Sequence, residues 1–583
     1  MLISQFIKSN KKLVGLMIGV ILIISGIIPL IIFIYFADSE HPYTISQITL
    51  NTSDYKKITA MVYTPKNMSG KHPGVVIGHG FTGNALHMQL LAIELVKREF
   101  VVVSINFRGH GNSGGYLPAF TDPLMINIIE QDMLAGMEYL KSLGNINKIG
   151  LLGHSMGAMT ALKTSEDYSN QINATVILGM SSGFEQQLYE IFGYESVPFM
   201  EHNLSKISNL LIANGKFEQM FTEQISLNFL KEYLNLSEVS TETQYGDFSA
   251  GNACKVVMGS TEHLFESFDY HIIYESVTWF ELAFYGTTRW EITITSVYCQ
   301  ISFFITLIGL LFLGFIAIVY INKWIWKGKP QDPQKDLIQN SSLMSTIGLI
   351  IFYIISMIIG VVIMGIGVFT LGEILPVSLG ELLYGILLGT AIGCIIMFYL
   401  FVRKKVKMRE IPSRIRKLCS KNYIRSTIYG IISVIVFIIL LTLISCWTFL
   451  VSIPTIRELG AILGMTILFF PWFLLKEFYF RNVQGNLKIK NPIKEYFAMF
   501  GIGFIMDSGI IFPLMAFLWG TTPITGFLAL ALTVVVIFSF IQQCLVTWIY
   551  IYSGRNILGS AIFLSIFYAW MIVNFYPFGL PLF

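Results

Sequence analysis

Two kinds of hydrophobic pattern divide the chain. Uninterrupted apolar runs long enough to cross a bilayer, about 20 residues, lie near 13–36, 299–321, 344–370, 378–402, 427–452, 459–477, 498–518, 524–552 and 556–575. They predict nine membrane spans, one before residue 38 and eight after residue 296. The first run is longer than the 7–15 residues of a signal-peptide core. No small-x-small cleavage site follows it: the chain leaves through Tyr35-Phe36-Ala37-Asp38. A retained anchor is expected.

Between the first and second runs the pattern changes to short β-rich runs alternating with helical spacing. Val75-Val76-Ile77-Gly78 stops at a glycine turn, and Leu90 to Lys97 is helical. Val101 to Ile105 is β-branched, Met133 to Leu143 amphipathic, Ile149 to Leu152 apolar, and Ala158 to Tyr168 helical. Ala174 to Leu178, Leu210 to Ala213 and Lys255 to Met258 read as strands, and a helix from about Ser267 to Leu282 closes the block. Apolar strands alternating with helices predict a mostly parallel sheet covered on both faces, whose ligand site lies at the carboxyl ends of the strands. The opening pair, 44–50 and 57–64, alternates polar and apolar residues, as an antiparallel edge does. The fold class expected is thus an α/β domain joined to an all-α transmembrane bundle.

Charge orients these parts. The chain has 39 Lys and Arg against 36 Asp and Glu, but residues 38–296 hold 15 basic and 27 acidic residues. Of the 24 basic residues elsewhere, nine spans put 23 on one face and leave only Arg457 on the other. Basic loops stay in the cytoplasm. The expected organisation is therefore 1–37, a cytoplasmic N-terminus and anchor; 38–296, an extracytoplasmic domain; and 297–583, a membrane domain of about eight helices with an extracytoplasmic C-terminus. A mean hydropathy of +0.64 fits a multi-pass membrane protein. No basic-aromatic stripe suggests nucleic acid. Cys254 is the only cysteine of the outer block, so no disulfide can form within it.

The candidate chemistry is Gly-x-Ser-x-Gly. It occurs three times, around Ser113, Ser155 and Ser181, so the pattern alone does not choose. A nucleophile elbow needs an apolar strand before it and a helix directly after it. Ser113 leads into Tyr116-Leu117-Pro118, and Ser181 is followed closely by bulky Phe184. Only Ser155 has an apolar strand before it and a small, helical Gly157-Ala158-Met159-Thr160-Ala161 after it.

With Gly78-His79-Gly80-Phe81 after one strand, Arg108-Gly109-His110-Gly111-Asn112-Ser113 after the next and then the Ser155 elbow, residues 44–283 resemble the α/β-hydrolases, in the broad group of esterases, lipases and serine aminopeptidases. The resemblance implies a triad ordered serine, acid, histidine. The family's Gly-x-x-Asp falls on Gly215-Lys216-Phe217-Glu218, so Glu218 is the implied acid, with Glu223 as a fallback. The histidine is expected after the last strand, at His263 rather than His271. Backbone N–H groups of Phe81 and Met156 would form the oxyanion hole. His79 and His110 are expected to stabilise turns, and Asn106 stands where the family usually has an acid. No cofactor and no metal are expected.

The resemblance implies a serine hydrolase acting on an ester, including a lipid or acyl ester; a peptidase or aminopeptidase-like activity is the alternative. A transporter or sensor with a non-catalytic outer domain is a third reading. Lid candidates are Ser181 to Ser208 and Gln219 to Asn252, both rich in aromatic residues, for which ordinary packing is the simpler role. The expected partners are such a substrate and the bilayer. In the membrane half Asp507 is the exceptional residue, a mid-span carboxylate; Arg555 lies too far away in depth to be its partner, whereas Gln542 and Gln543 could bond between helices.

Overall fold

The computed structural model describes residues 11–36, 41–119, 122, 124–181, 204–289, 293–327, 377–378, 380–397, 407–419, 422–445, 454–484, 489–509, 511–519 and 522–579, with isolated positions between 347 and 358. Most of the expected lid 181–208, and most of the expected span 344–370, lie outside these residues. So does the side chain of Glu381.

The block between the first and second apolar runs forms one eight-stranded sheet, β1 (Tyr43–Asn51), β2 (Lys57–Pro65), β3 (His72–Gly78), β4 (Val101–Ile105), β5 (Ile146–His154), β6 (Ala174–Leu178), β7 (Leu210–Gly215) and β8 (Cys254–Gly259). Their order is β1-β2-β4-β3-β5-β6-β7-β8. β1 and β2 pair antiparallel, β2 meets β4 antiparallel, and every later pairing is parallel. β3, β4, β6 and β7 are buried along their whole length, which is why they read as continuous apolar runs rather than alternating ones. Helices α1 (Lys11–Ile31), α2 (Gln89–Lys97), α3 (Met125–Ser142), α4 (Met156–Asp167), α5 (Glu223–Leu234) and α6 (Tyr270–Tyr285) follow in chain order. α1 belongs to the bundle, and the others cover the sheet. α6 starts later than its apolar pattern suggests. The chain first makes a 3₁₀ segment, His263–Phe268, and only then does the Asp269 carboxylate cap Ile272 N at 3.0 Å. This is a carboxylate at a helix N-terminus, a stabilising arrangement.

The helical remainder comprises α7 (Ser296–Trp326), α8 (Gly380–Met397), α9 (Ile411–Leu418), α10 (Tyr423–Ser445), α11 (Ile456–Gln484), α12 (Pro492–Ser508), α13 (Ile511–Leu518), α14 (Pro523–Tyr552) and α15 (Ile557–Phe575). Among the described residues six helices, α1, α7, α10, α11, α14 and α15, are long and apolar enough to cross a membrane. A seventh span arises if α12 and α13, bent by 44° to each other, count as one. Small residues set the close crossings: a Cβ on Gly26 of α1 would overlap Thr306 of α7, as expected where apolar helices must touch without a hydrophobic drive.

α11 is longer than its apolar run and carries Lys476 inside the helix. There Lys476 Nζ lies 2.9 Å from Asp507 Oδ2, which also accepts from Gln542 (3.0 Å) and Gln543 (2.7 Å). Arg555 pairs instead with Glu495. Asp507 is thus held by three donors from two other helices, α11 and α14.

The two halves share one hydrophobic core. Phe81, Met156, Met220 and Phe221 of the outer domain join Phe469, Leu530, Ile572 and Phe578 in a single buried cluster. A segment just after α15 fixes the junction. Leu117 N donates to Phe578 O (2.8 Å), Phe578 N donates to Gly109 O (2.9 Å), and Leu117 bridges Gly579 in parallel. Gly109 has φ +78°, and a Cβ there would overlap the Phe578 carbonyl. The Arg457 guanidinium lies 4.3 Å from the Tyr116 ring centre and 3.9 Å from that of Phe578, and it donates to Gly115 O at 3.1 Å.

Candidate active site

Ser155 sits between β5 and α4 with φ 53° and ψ −117°, a backbone conformation that costs free energy unless its surroundings enforce it. Two glycines enforce it. A Cβ on Gly153 would overlap the Gly157 carbonyl, and one on Gly157 would overlap the Gly78 carbonyl. Ser155 N donates to Leu178 O at 2.8 Å, tying the turn to β6.

His263 begins the 3₁₀ turn after β8 and faces this serine. Its Nε2 lies 3.0 Å from Ser155 Oγ, and its Nδ1 lies 2.8 Å from Glu218 Oε2. Glu218 Oε1 accepts the N–H groups of Met220 (2.9 Å) and Phe221 (3.3 Å). These contacts fit one tautomer: Nδ1–H donates to the carboxylate, and Nε2 accepts from the hydroxyl. Burial pushes the Glu218 carboxyl upward, but the adjacent His263 outweighs it and holds Glu218 below the usual carboxylate range. The structure therefore brings together all three side chains named from the sequence. Glu223 is exposed on the first turn of α5, and His271 pairs with Glu242 on the surface.

The other two serines have different surroundings. Ser113 Oγ accepts from Thr59 N and donates to Asn106 O, each at 2.8 Å. Ser181 is fully buried, donates to Met180 O and lies among Asn214 and Ser226. Both stabilise turns.

Met156 is the first residue of α4, directly after Ser155. Phe81 lies on the loop after β3, its ring near His110 and Tyr576. Two histidines brace that loop. His79 Nδ1 donates to Gly80 O (2.8 Å) while its Nε2 accepts from Phe107 N (3.1 Å), and His110 Nε2 meets Phe81 O at 2.7 Å. Burial holds His79 well below its usual range and lowers His110 to about 4, so both are neutral near pH 7. Asn106, where the resemblance leads one to expect an acid, bonds through both ends of its amide. Its Oδ1 accepts from Ala85 N (2.7 Å) and its Nδ2 donates to Thr59 (2.8 Å).

Three further polar side chains were not singled out from the sequence. His154, next to Ser155, donates from Nε2 to the His263 carbonyl at 2.9 Å. His87, lowered to about 4 by burial, lines the cavity over the serine. Glu266 accepts Gly215 N at 2.7 Å, and its other oxygen lies 3.9 Å from His263 Nδ1. Burial and the neighbouring Glu218 push the Glu266 carboxyl well above its usual range. Its place three residues after His263 in one turn was a signal the sequence carried.

Ligand atoms of His154, His263 and Glu266 lie within 4.8 Å of one another, as do those of Glu242, His271 and Glu275. In the first group the His263 nitrogens already face Ser155 and Glu218. In the second, Lys255 Nζ already supplies the cation, 2.7 Å from Glu275.

Residues 71–237 match the family model described as serine aminopeptidase, S33. The chain is 25% identical over 125 residues to a Haemophilus influenzae protein named "Putative esterase/lipase", covering 21% of this chain and 39% of that one. It is 28% identical over 141 residues to an abhydrolase domain-containing protein of Schizosaccharomyces pombe, covering 24% and 49%. The chain thus spans less than half the length of these relatives. Among solved structures, Est1E of Butyrivibrio proteoclasticus with ferulic acid bound is 19% identical with a TM-score of 0.32, over 41% of this chain and 100% of that one. The sheet topology, the strained serine turn and the family match make the outer block an α/β-hydrolase domain.

Proposed function

We propose that this protein is a membrane-embedded serine hydrolase that cleaves a carboxylic ester through an acyl-enzyme on Ser155, outside the cytoplasm. The observation that carries the reading is His263, 3.0 Å from Ser155 Oγ on one side and 2.8 Å from Glu218 on the other. A serine hydroxyl is a weak nucleophile and needs such a base. In the reaction Ser155 Oγ attacks the ester carbonyl as its proton passes to His263 Nε2. Glu218 stabilises the imidazolium, and the N–H groups of Met156 and Phe81 stabilise the oxyanion. The alkoxide leaves with the proton from Nε2. Water, activated by the same nitrogen, then releases the acid and restores the hydroxyl.

The orientation is supported by the basic loops and by Arg457. The one basic residue assigned by charge to the outer face is also the one stacked against the hydrolase loop at Tyr116. A fluorophosphonate probe applied to membranes tests the chemistry. Labelling is expected in the wild type and in Ser181→Ala and lost in Ser155→Ala; absence of labelling in folded wild type overturns the reading. Asn235, in an exposed Asn-Leu-Ser triplet, tests the topology in glycosylating microsomes. Modification that disappears in Asn235→Gln is expected, and cytoplasmic exposure of this site contradicts it.

A further inference from the structure

The cavity over Ser155 has two unlike walls. One belongs to the hydrolase domain, with Met220 and Leu264 beside the serine. The other belongs to α14, through Phe527, Leu530, Ala531 and Val534. These four positions follow i, i+3, i+4, i+7 and so form one stripe of the helix. The helix is fixed against the site. Thr522 and Thr525 cap its start reciprocally, and a Cβ on Gly526 would overlap the Gln219 carbonyl, one residue past Glu218.

Among the described residues no Asp, Glu, Lys or Arg lines the cavity, and of its histidines His87 and His154 are kept neutral by burial. The free ammonium of an aminopeptidase substrate would meet no carboxylate among these lining residues, and burying a charge without a partner is unfavourable. An acyl chain laid along α14 meets the apolar side chains of Phe527, Leu530, Ala531 and Val534. The stripe also has a defined depth. At 1.5 Å per residue it covers about 6 to 17 Å of helix beyond Pro523, which in the proposed orientation is the end of the helix nearer the outer leaflet. Leu528, Ile537 and Phe540 of the same helix are exposed, at 41%, 39% and 49%, as side chains facing lipid are. One helix therefore carries both an exposed apolar side and a side that lines the cavity over the serine.

We propose that α14 is the acyl-binding wall of the site, and that the substrate is an acyl ester resident in the outer leaflet whose chain lies along Phe527, Leu530, Ala531 and Val534 while its carbonyl reaches Ser155. The inference rests on the reading of Ser155 as nucleophile. The membrane helices are then part of the enzyme's specificity and not only its anchor.

The test uses the full-length protein in detergent micelles with p-nitrophenyl palmitate and p-nitrophenyl butyrate. Ala531→Trp fills the wall and is expected to lower the palmitate-to-butyrate ratio of kcat/KM at least tenfold. Leu530→Ala, which removes contact without adding bulk, is expected to lower the same ratio at least threefold and serves if the tryptophan variant does not fold. Leu528→Trp, on the exposed side, is expected to leave it unchanged. An unchanged ratio in both wall variants, or an equal fall in the exposed one, overturns the proposal. Fluorophosphonate labelling of each protein separates this failure from failure of the nucleophile: labelled protein with an unmoved ratio refutes only the wall.

Discussion

Glu218→Gln is the most informative single substitution, because an amide cannot satisfy both sides of the site. Glu218 gives one oxygen to Met220 and Phe221 and the other to His263 Nδ1. Glutamine has one oxygen. If that oxygen keeps the backbone N–H groups, the NH₂ group faces Nδ1 and drives the proton to Nε2. The histidine then donates to Ser155 and cannot accept its proton. The flipped amide restores the tautomer but turns NH₂ toward two buried N–H groups, a cost of about 1–3 kcal/mol. That cost alone leaves the competent form roughly 5- to 150-fold depleted. The lost negative charge beside the imidazolium adds to it, so kcat is expected to fall about 10³–10⁴-fold, the scale set by the equivalent change in serine proteases. The assay is ester hydrolysis with p-nitrophenyl butyrate, with the thermal midpoint recorded on the same sample. An intact fold with activity within tenfold of wild type would refute the assignment. It would point instead to Glu266, the second carboxylate 3.9 Å from the same nitrogen.

Two further outcomes follow from the same geometry. The Glu266 carboxyl is raised, so the folded state holds its proton more tightly than the unfolded chain. Its contribution to stability is complete below about pH 4.3 and is lost as pH rises through the folded-state value. Glu266→Gln keeps the acceptor for Gly215 and removes the titration, so its thermal midpoint is expected to rise relative to wild type more at pH 8 than at pH 5; an equal shift at both contradicts this. Glu218, held low, contributes with the opposite sign, its stability lost as pH falls below about 4.3. Gly157→Ala forces a methyl into the Gly78 carbonyl and is expected to cost about 1–3 kcal/mol or more, with fluorophosphonate labelling lost. A normally labelled Gly157→Ala protein would show that the close approach of turn and β3 is dispensable.

Much of the outer domain is legible in the chain because its signals are local. The buried strands are continuous apolar runs, and the antiparallel edge alternates. The requirement for glycine on both sides of Ser155 follows from the turn. Glu218 and His263 are found by order after β7 and β8, since each strand end delivers its loop to the same edge. His154 and Glu266 escape notice because their roles depend on where His263 arrives in space. α14 is the hardest to read. Its run 524–552 resembles the other apolar runs in composition, and nothing local marks the four side chains that meet a cavity whose other wall lies some 260 to 450 residues earlier. The depth of Lys476 is hidden for a different reason. A charge at the end of an apolar run reads as the start of a loop, whereas its pairing with Asp507 lets α11 continue.

The tie between Leu117 and Gly579 joins residues about 460 positions apart. At a synthesis rate of roughly 5–20 residues per second, about 25–90 seconds separate the translation of its two partners. The sheet, with every strand complete by Gly259, has its residues available long before α14 and the segment after α15. If α14 is the acyl-binding wall, the catalytic side chains are all synthesised before it, and the cavity over Ser155 can be completed only after α14 has emerged.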